Sequence, residues 1–201
     1  VKVTILDYGA GNVPSVERAL QRLGADSLRT SSPGSFSNAE ALLLPGVGHI
    51  AALVRALDEQ HLRAPLVDAV HRGIPFLGIC LGLQVLFESS EEAPHLHGLN
   101  LFPGRISALP SNVKLPHMGW NQVAVQRESQ LLAGISPSAY FYFAHSYGAL
   151  DLNGHASATS THGAEFAAVV EQKNIFAVQF HPEKSGDPGA RILQNFLRLA
   201  A

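Results

Sequence analysis

Two textures of apolar positions alternate along the first part of the chain. Short, mostly apolar runs fall at 1–6, at ALLLP (41–45) and at IPFLGI (74–79), with the length of buried strands. Between them the apolar residues recur at helical spacing. Val13, Val16, Ala19, Leu20 and Leu23 predict a helix that Asn12 can cap and Gly24 ends. Further helices are predicted over 50–58 and 64–72, with Gly73 closing the second, and over LGLQVLFES (81–89). Strand and helix thus alternate through residue 90, the pattern of a parallel sheet covered on both faces.

After Gly98 the pattern changes. GRISAL, NQVAVQ, YFYFAHSY, HASATST, EFAAVVE and IFAVQFH alternate like strands and are separated by short turns, which predicts mostly antiparallel pairing. The terminal DPGARILQNFLRLA returns to helical spacing, with Ile192, Leu193, Phe196 and Leu199 or Ala200 facing inward. No linker-like stretch interrupts the pattern, so 1–201 reads as one α/β domain with a mostly parallel sheet and an antiparallel extension.

Composition narrows the function. Apolar residues make up 46% of the chain and charged ones 15%, which excludes a disordered segment. Net charge is -2 and there is no basic run, which argues against nucleic acid as a partner. A lone cysteine cannot form an intramolecular disulfide and fits a reducing, cytoplasmic setting. The apolar core near the N-terminus is too short for a signal peptide, and no stretch approaches the roughly 20 residues of a membrane span, so no membrane association is expected.

That cysteine, Cys80, sits in GICLGLQ at the junction of a predicted strand and helix, with Gly78 and Gly82 two residues to either side. Glycines there let a sharp turn present a nucleophile at the sheet's carboxyl end. A helix beginning at this point would also favour a thiolate. The alternative is a small core residue. A thiolate needs a base, and the base an orienting group. IFAVQFHPEKS supplies both: a strand ends at His181, Pro182 stops it, and Glu183 stands two positions on. PGVGH (45–49) follows another strand end, where glycines let N–H groups face an oxyanion. There is no P-loop and no dinucleotide fingerprint. HLH (95–97) lacks a third ligand at metal spacing, so no metal and no cofactor are expected.

PGVG, GICLGLQ and HPEKS, in this order, resemble the class I (triad) glutamine amidotransferases, a three-layer, flavodoxin-like family. DYGAGN (7–12), PHMGWN (116–121) and FAHSY (143–147) narrow the likeness to the glutaminase subunits of imidazole glycerol phosphate synthases in histidine biosynthesis. Two positions depart from the pattern: Leu83 stands where methionine is frequent, and His49 where a small residue is usual. The resemblance implies glutamine hydrolysis through a Cys80 thioester, with His181 as acid and base and Glu183 orienting it. It implies an oxyanion site from the N–H groups of Leu81 and of Val47 or Gly48, in a loop whose glycines permit a peptide flip. It further implies that Gln84, Glu92, His145, Ser146 and Tyr147 hold the amino-acid end of glutamine. The partner it implies is a (β/α)8-barrel cyclase subunit, joined as a heterodimer through Asn12, Met118, Trp120, Tyr142 and Lys184, which receives the ammonia. The rivals are amidotransferases serving anthranilate, aminodeoxychorismate or pyridoxal phosphate synthesis, a catalytically silent binding subunit, and a cysteine peptidase of similar architecture.

Overall fold

The computed structural model describes residues 1–152 and 154–201. Its first part follows the predicted alternation: β1 (Lys2–Leu6), α1 (Val13–Arg22), β2 (Asp26–Thr30), β3 (Ala41–Gly46), α2 (Ile50–Glu59), α3 (Arg63–His71) and β4 (Phe76–Cys80). β2 was not predicted. Its sequence, DSLRT, has one apolar residue, and it lies at the sheet edge, where only β1 pairs with it.

The helix expected over 81–89 is wrong in its second half. α4 (Leu81–Gln84) is a single turn, and β5 (Phe87–Ser90) begins three residues later. Tertiary pairing overrides helical spacing here. The Leu86 carbonyl accepts from Leu101 and Phe102, and the Val85 carbonyl accepts from Leu99. Gly98 permits this approach, because a Cβ there would stand 1.9 Å from the Phe87 carbonyl oxygen.

The remaining elements are β6 (Phe102–Ala108), β7 (His117–Gln122), β8 (Ala124–Val125), β9 (Tyr140–His145), β10 (Tyr147–Gly148), β11 (Ala156–His162), β12 (Ala164–Gln172), β13 (Ile175–Val178) and α5 (Gly186–Leu199). The run NQVAVQ is split between β7 and β8. The main sheet has the order β2-β1-β3-β4-β13-β12-β11-β8, parallel from β2 to β13 and antiparallel beyond. β13, expected among antiparallel neighbours, pairs parallel with β4 on one side. A three-stranded sheet, β10-β6-β5, and the β7–β9 pair complete the fold.

Every residue of β3 and β4 is buried, as central parallel strands covered on both faces require. Side chains alternate between two cores. Leu42, Leu44 and Phe76 pack with α2 and α3, while Leu43, Leu77 and Ile79 pack with α1 and α5. Each fully buried Leu, Ile or Phe contributes about 1.5–3 kcal/mol. Two such cores hold β3 and β4 rigidly, and both strands point their carboxyl ends at the same spot. Of the residues predicted to face inward from the last helix, Ile192, Leu193 and Phe196 are buried, and Leu199 and Ala200 are half-buried. Among the described residues, no helix is long and apolar enough to cross a membrane.

Candidate active site

β3 and β4 run in register from Leu42↔Phe76 to Gly46↔Cys80, and Cys80 is the last residue of its strand. Its backbone turns there with φ 56 and ψ -105, a conformation that costs of order 1–3 kcal/mol in a non-glycine residue. Glycines make the turn possible. A Cβ on Gly82 would stand 2.0 Å from the Leu44 carbonyl oxygen, and one on Gly78 would stand 2.4 Å from the Gly82 carbonyl oxygen. The glycines beside Cys80 are therefore required by backbone approach, as expected for a sharp turn that exposes a side chain. The helix dipole invoked for the thiol is reduced, because α4 is one turn long.

His181 follows β13, the neighbour of β4. Its backbone N–H donates to the Tyr142 carbonyl at 2.8 Å, which ties the base to β9. Its Nδ1 donates to Glu183 Oε1 at 2.9 Å, with both side chains almost fully buried. Burial alone would lower the His181 pKa. Hydrogen bonds to Cys80 and Glu183, with their charges, outweigh it and raise the pKa to about 10. These contacts favour the imidazolium form of His181, which can protonate a leaving group. Asn12 reaches the same Glu183 oxygen at 3.5 Å and makes no side-chain cap to α1.

A cleft of about 600 Å³ opens over Cys80 and His181. It gathers the predicted residues Val47, Gly48, Leu81, Gln84, Glu92, His145, Ser146 and Tyr147, together with Asn12 and Lys184. Gly48 has φ 92 and open space around its Cα. Glu92 Oε2 accepts from the Ile50 N–H at 2.8 Å, at the start of α2, and lies 4.0 Å from His49 Nδ1. Gln84 donates through Nε2 to the Tyr147 carbonyl and to Gln179 Oε1, while its own Oε1 is buried without a protein partner.

The His145 ring is already engaged. Nδ1 faces the Tyr147 carbonyl at 2.8 Å and so carries the proton, which leaves Nε2 to accept from His117 Nδ1 at 3.0 Å. Both ring nitrogens of His145 are therefore engaged within the protein, while the residue lines the cleft. Met118, Trp120 and Tyr142 lie outside the cleft, on the outer face of the β7–β9 pair. Trp120 is 56% exposed and Met118 64%, so neither is a core residue. Trp120 packs edge-on to Tyr142, and Lys184 Nζ sits 5.7 Å from the Tyr142 ring centre.

Sequence reasoning missed Gln179 and His117. The strand period of two, counted back from His181, would have found Gln179. His117 carries no local signal, because its partner His145 is 28 residues away. Among the described residues, no three His, Cys, Asp or Glu side chains converge as metal ligands would.

A buried Cys-His-Glu series at a strained strand end, opening onto a polar cleft, is an arrangement suited to cysteine-dependent acyl transfer. The glutamine amidotransferase class-I family profile matches residues 4–200, and the chain belongs to that family. Within it, the chain is 47% identical over 197 residues to the imidazole glycerol phosphate synthase subunit HisH of Methanothermobacter thermautotrophicus, covering 98% of each. It is 45% identical to the HisH subunit of Moorella thermoacetica, covering 96% of this chain and 93% of the relative. The HisH subunit of Pyrococcus furiosus is 43% identical, with 98% and 99% covered. Solved structures agree on the fold. One reported as a glutamine amidotransferase superposes with a TM-score of 0.79 at 21% identity, covering 98% of both chains. A PurLQS structure from Thermotoga maritima gives 0.76 at 18% identity, covering 100% of this chain and 99% of the other.

Proposed function

We propose that the chain is the glutaminase subunit of an imidazole glycerol phosphate synthase, hydrolysing glutamine and passing ammonia to a cyclase subunit. The observation that carries this is Cys80 at φ 56 beside a His181–Glu183 pair, in a chain similar to HisH subunits over nearly its full length. Cys80 sulfur attacks the side-chain amide carbon of glutamine. The carbonyl oxygen takes the negative charge, stabilised by the N–H of Leu81 and one from Val47 or Gly48; each such donor is worth ~100-fold or more in rate. His181 gives its proton to the departing nitrogen, leaving a thioester. Water then attacks the thioester with His181 as base, and glutamate leaves. Glu183 holds the His181 tautomer and balances its charge. Gln84, Glu92 and residues 145–147 line the cleft and suit the amino-acid group of glutamine.

The exposed Met118, Trp120, Tyr142 and Lys184 suit a protein partner, since tryptophan and tyrosine often anchor interfaces. Asn12 and Lys184 lie at the cleft rim as well, so a partner seated there would touch the site. Glutamate release should be measured for the chain alone, with a cyclase subunit, and with cyclase plus its nucleotide ligand, with Cys80→Ala as control. Partner-dependent release that the control lacks is expected. Equal release without any partner would remove the coupling and keep the glutaminase. Trp120→Ala should weaken cyclase binding about 30-fold, the effect of a ~2 kcal/mol anchor. Unchanged affinity would remove this surface from the interface.

A further inference from the structure

Gln179 is fully buried, one residue past the end of β13. β13 and β4 pair up to Val178↔Ile79, so one further step along both strands brings Gln179 beside Cys80. Its carboxamide bridges two residues of the site. Nε2 lies 3.6 Å from Cys80 Sγ, and Oε1 accepts from Gln84 Nε2 at 3.1 Å.

The surrounding acceptors fix both amides. One Gln84 terminal atom faces the Tyr147 carbonyl at 2.8 Å as well as Gln179, so it must be the nitrogen. The Gln179 atom facing that nitrogen must then be oxygen, which turns its NH2 toward the sulfur. The Tyr147 carbonyl also accepts from His145 Nδ1 at 2.8 Å, so both of its lone pairs are used. Two consequences follow. An N–H donor points at the sulfur, and such a bond strengthens when its acceptor is charged. Gln84, with both its protons used, keeps one buried, unpaired oxygen, and the residue itself lines the cleft.

We propose that Gln179 is a positioning residue for the nucleophile: it donates to Cys80 Sγ and, through its bond to Gln84, fixes the orientation of a side chain that lines the cleft. This rests on the reading of Cys80 as the nucleophile. It goes beyond the triad, because Gln179 touches neither His181 nor Glu183 by any side-chain hydrogen bond in the structure.

The test uses the chain assembled with its cyclase subunit. Gln179→Met fills a similar volume with neither donor nor acceptor. Gln179→Glu keeps the acceptor toward Gln84 but puts an acid group against the sulfur. Both should lower kcat for glutamine hydrolysis about 10- to 100-fold, the effect of losing a hydrogen bond to a charged group. The pH midpoint for alkylation of Cys80 by iodoacetamide should rise by about one unit, read from the full pH–rate profile of each variant against the parent. KM should rise in Gln179→Met, where Gln84 is released, and stay near its original value in Gln179→Glu. A kcat loss with an unmoved alkylation midpoint would reduce Gln179 to packing and overturn the proposal, as would unaltered kcat in both variants. If Gln179→Met does not fold, Gln179→Glu decides the question alone. Glutamine hydrolysis surviving in Cys80→Ala would instead overturn the nucleophile assignment, whatever the Gln179 variants do.

Discussion

The two sides of the site are built differently. The thiol comes from β1 to β4, a parallel region whose interior is almost wholly apolar. Among the described residues, its buried polar side chains before residue 100 are Thr4, Gln84 and Ser90. The base comes from the region after residue 100, where His117, His145, Gln179, His181, Ser185 and others are buried and hydrogen-bonded. Backbone contact at Gly78 and Gly82 sets where Cys80 stands. Hydrogen bonds set His181: Nδ1 to Glu183, its N–H to Tyr142, and its carbonyl accepting from Ser185 Oγ at 2.6 Å. A nucleophile held by shape tolerates no added atom nearby. A base held by polar partners tolerates changes of shape but not of charge. The thiol side should therefore fail by unfolding and the base side by losing chemistry.

Gly82→Ala tests the thiol side with the largest expected effect. Its Cβ would meet the Leu44 carbonyl oxygen at 2.0 Å, and two backbones sealed between cores cannot both move. A loss of about 4 kcal/mol or more is expected, in the range reserved for core disruption. Chemical denaturation followed by circular dichroism measures it. A variant as stable as the parent would show that the β3–β4 elbow yields, and the steric account of Cys80 would fall.

Glu183→Gln tests the base side. The amide still fills the space and can accept from His181 Nδ1, but it no longer balances the imidazolium. Glutamine turnover in the cyclase complex should drop about 10³- to 10⁴-fold, as when other triads lose their carboxylate charge. The denaturation midpoint should fall, since the buried imidazolium loses its counter-charge, but by less than in Gly82→Ala. Unfolding of Glu183→Gln, or its full activity, would erase the contrast between the two sides.

Sequence made the steric features legible. Two glycines around one cysteine, a proline directly after a histidine, and a carboxylate two residues later are local patterns with local causes. The pairs that join distant segments were not legible. Nothing in PHMGW reveals that His117 meets His145, and nothing in LGLQVLFES reveals that Val85 and Leu86 will accept from residues 99 to 102. β2 escaped because a polar edge strand lacks the apolar run that marks a central one. In the fold, the parallel character of the first half was readable from alternation, but not its strand order. β13 inserting beside β4 was not, because parallel pairing across such a distance leaves no trace in either strand's own pattern.

The smallest expected effect probes the polar side away from the reacting atoms. Burial, the leading cause in both cases, lowers the pKa of His145 to about 3 and of His117 to about 4. For His145 the Tyr147 carbonyl opposes the shift, and the charges of His117, His162 and His181 add to it. His162 stacks on His117 with ring centres 4.3 Å apart. Both folded values lie below the ordinary value of about 6.5. Between pH 6.5 and about 4 the unfolded chain therefore binds protons that the folded chain refuses. The sign follows directly: this contribution to stability is intact above pH 6.5 and is lost as pH falls through that window. Replacing His145 with glutamine, which can still donate to the Tyr147 carbonyl, removes one of these titrations. Its stability at neutral pH falls modestly through altered packing. The informative quantity is the slope, since proton uptake on unfolding near pH 5 should drop by about one proton relative to the parent. Denaturation midpoints at a series of pH values between 4 and 7 give that slope. An unchanged slope would mean that the folded chain already protonates His145, and the polar side would then not be the sealed hydrogen-bonded network that separates it from the thiol side.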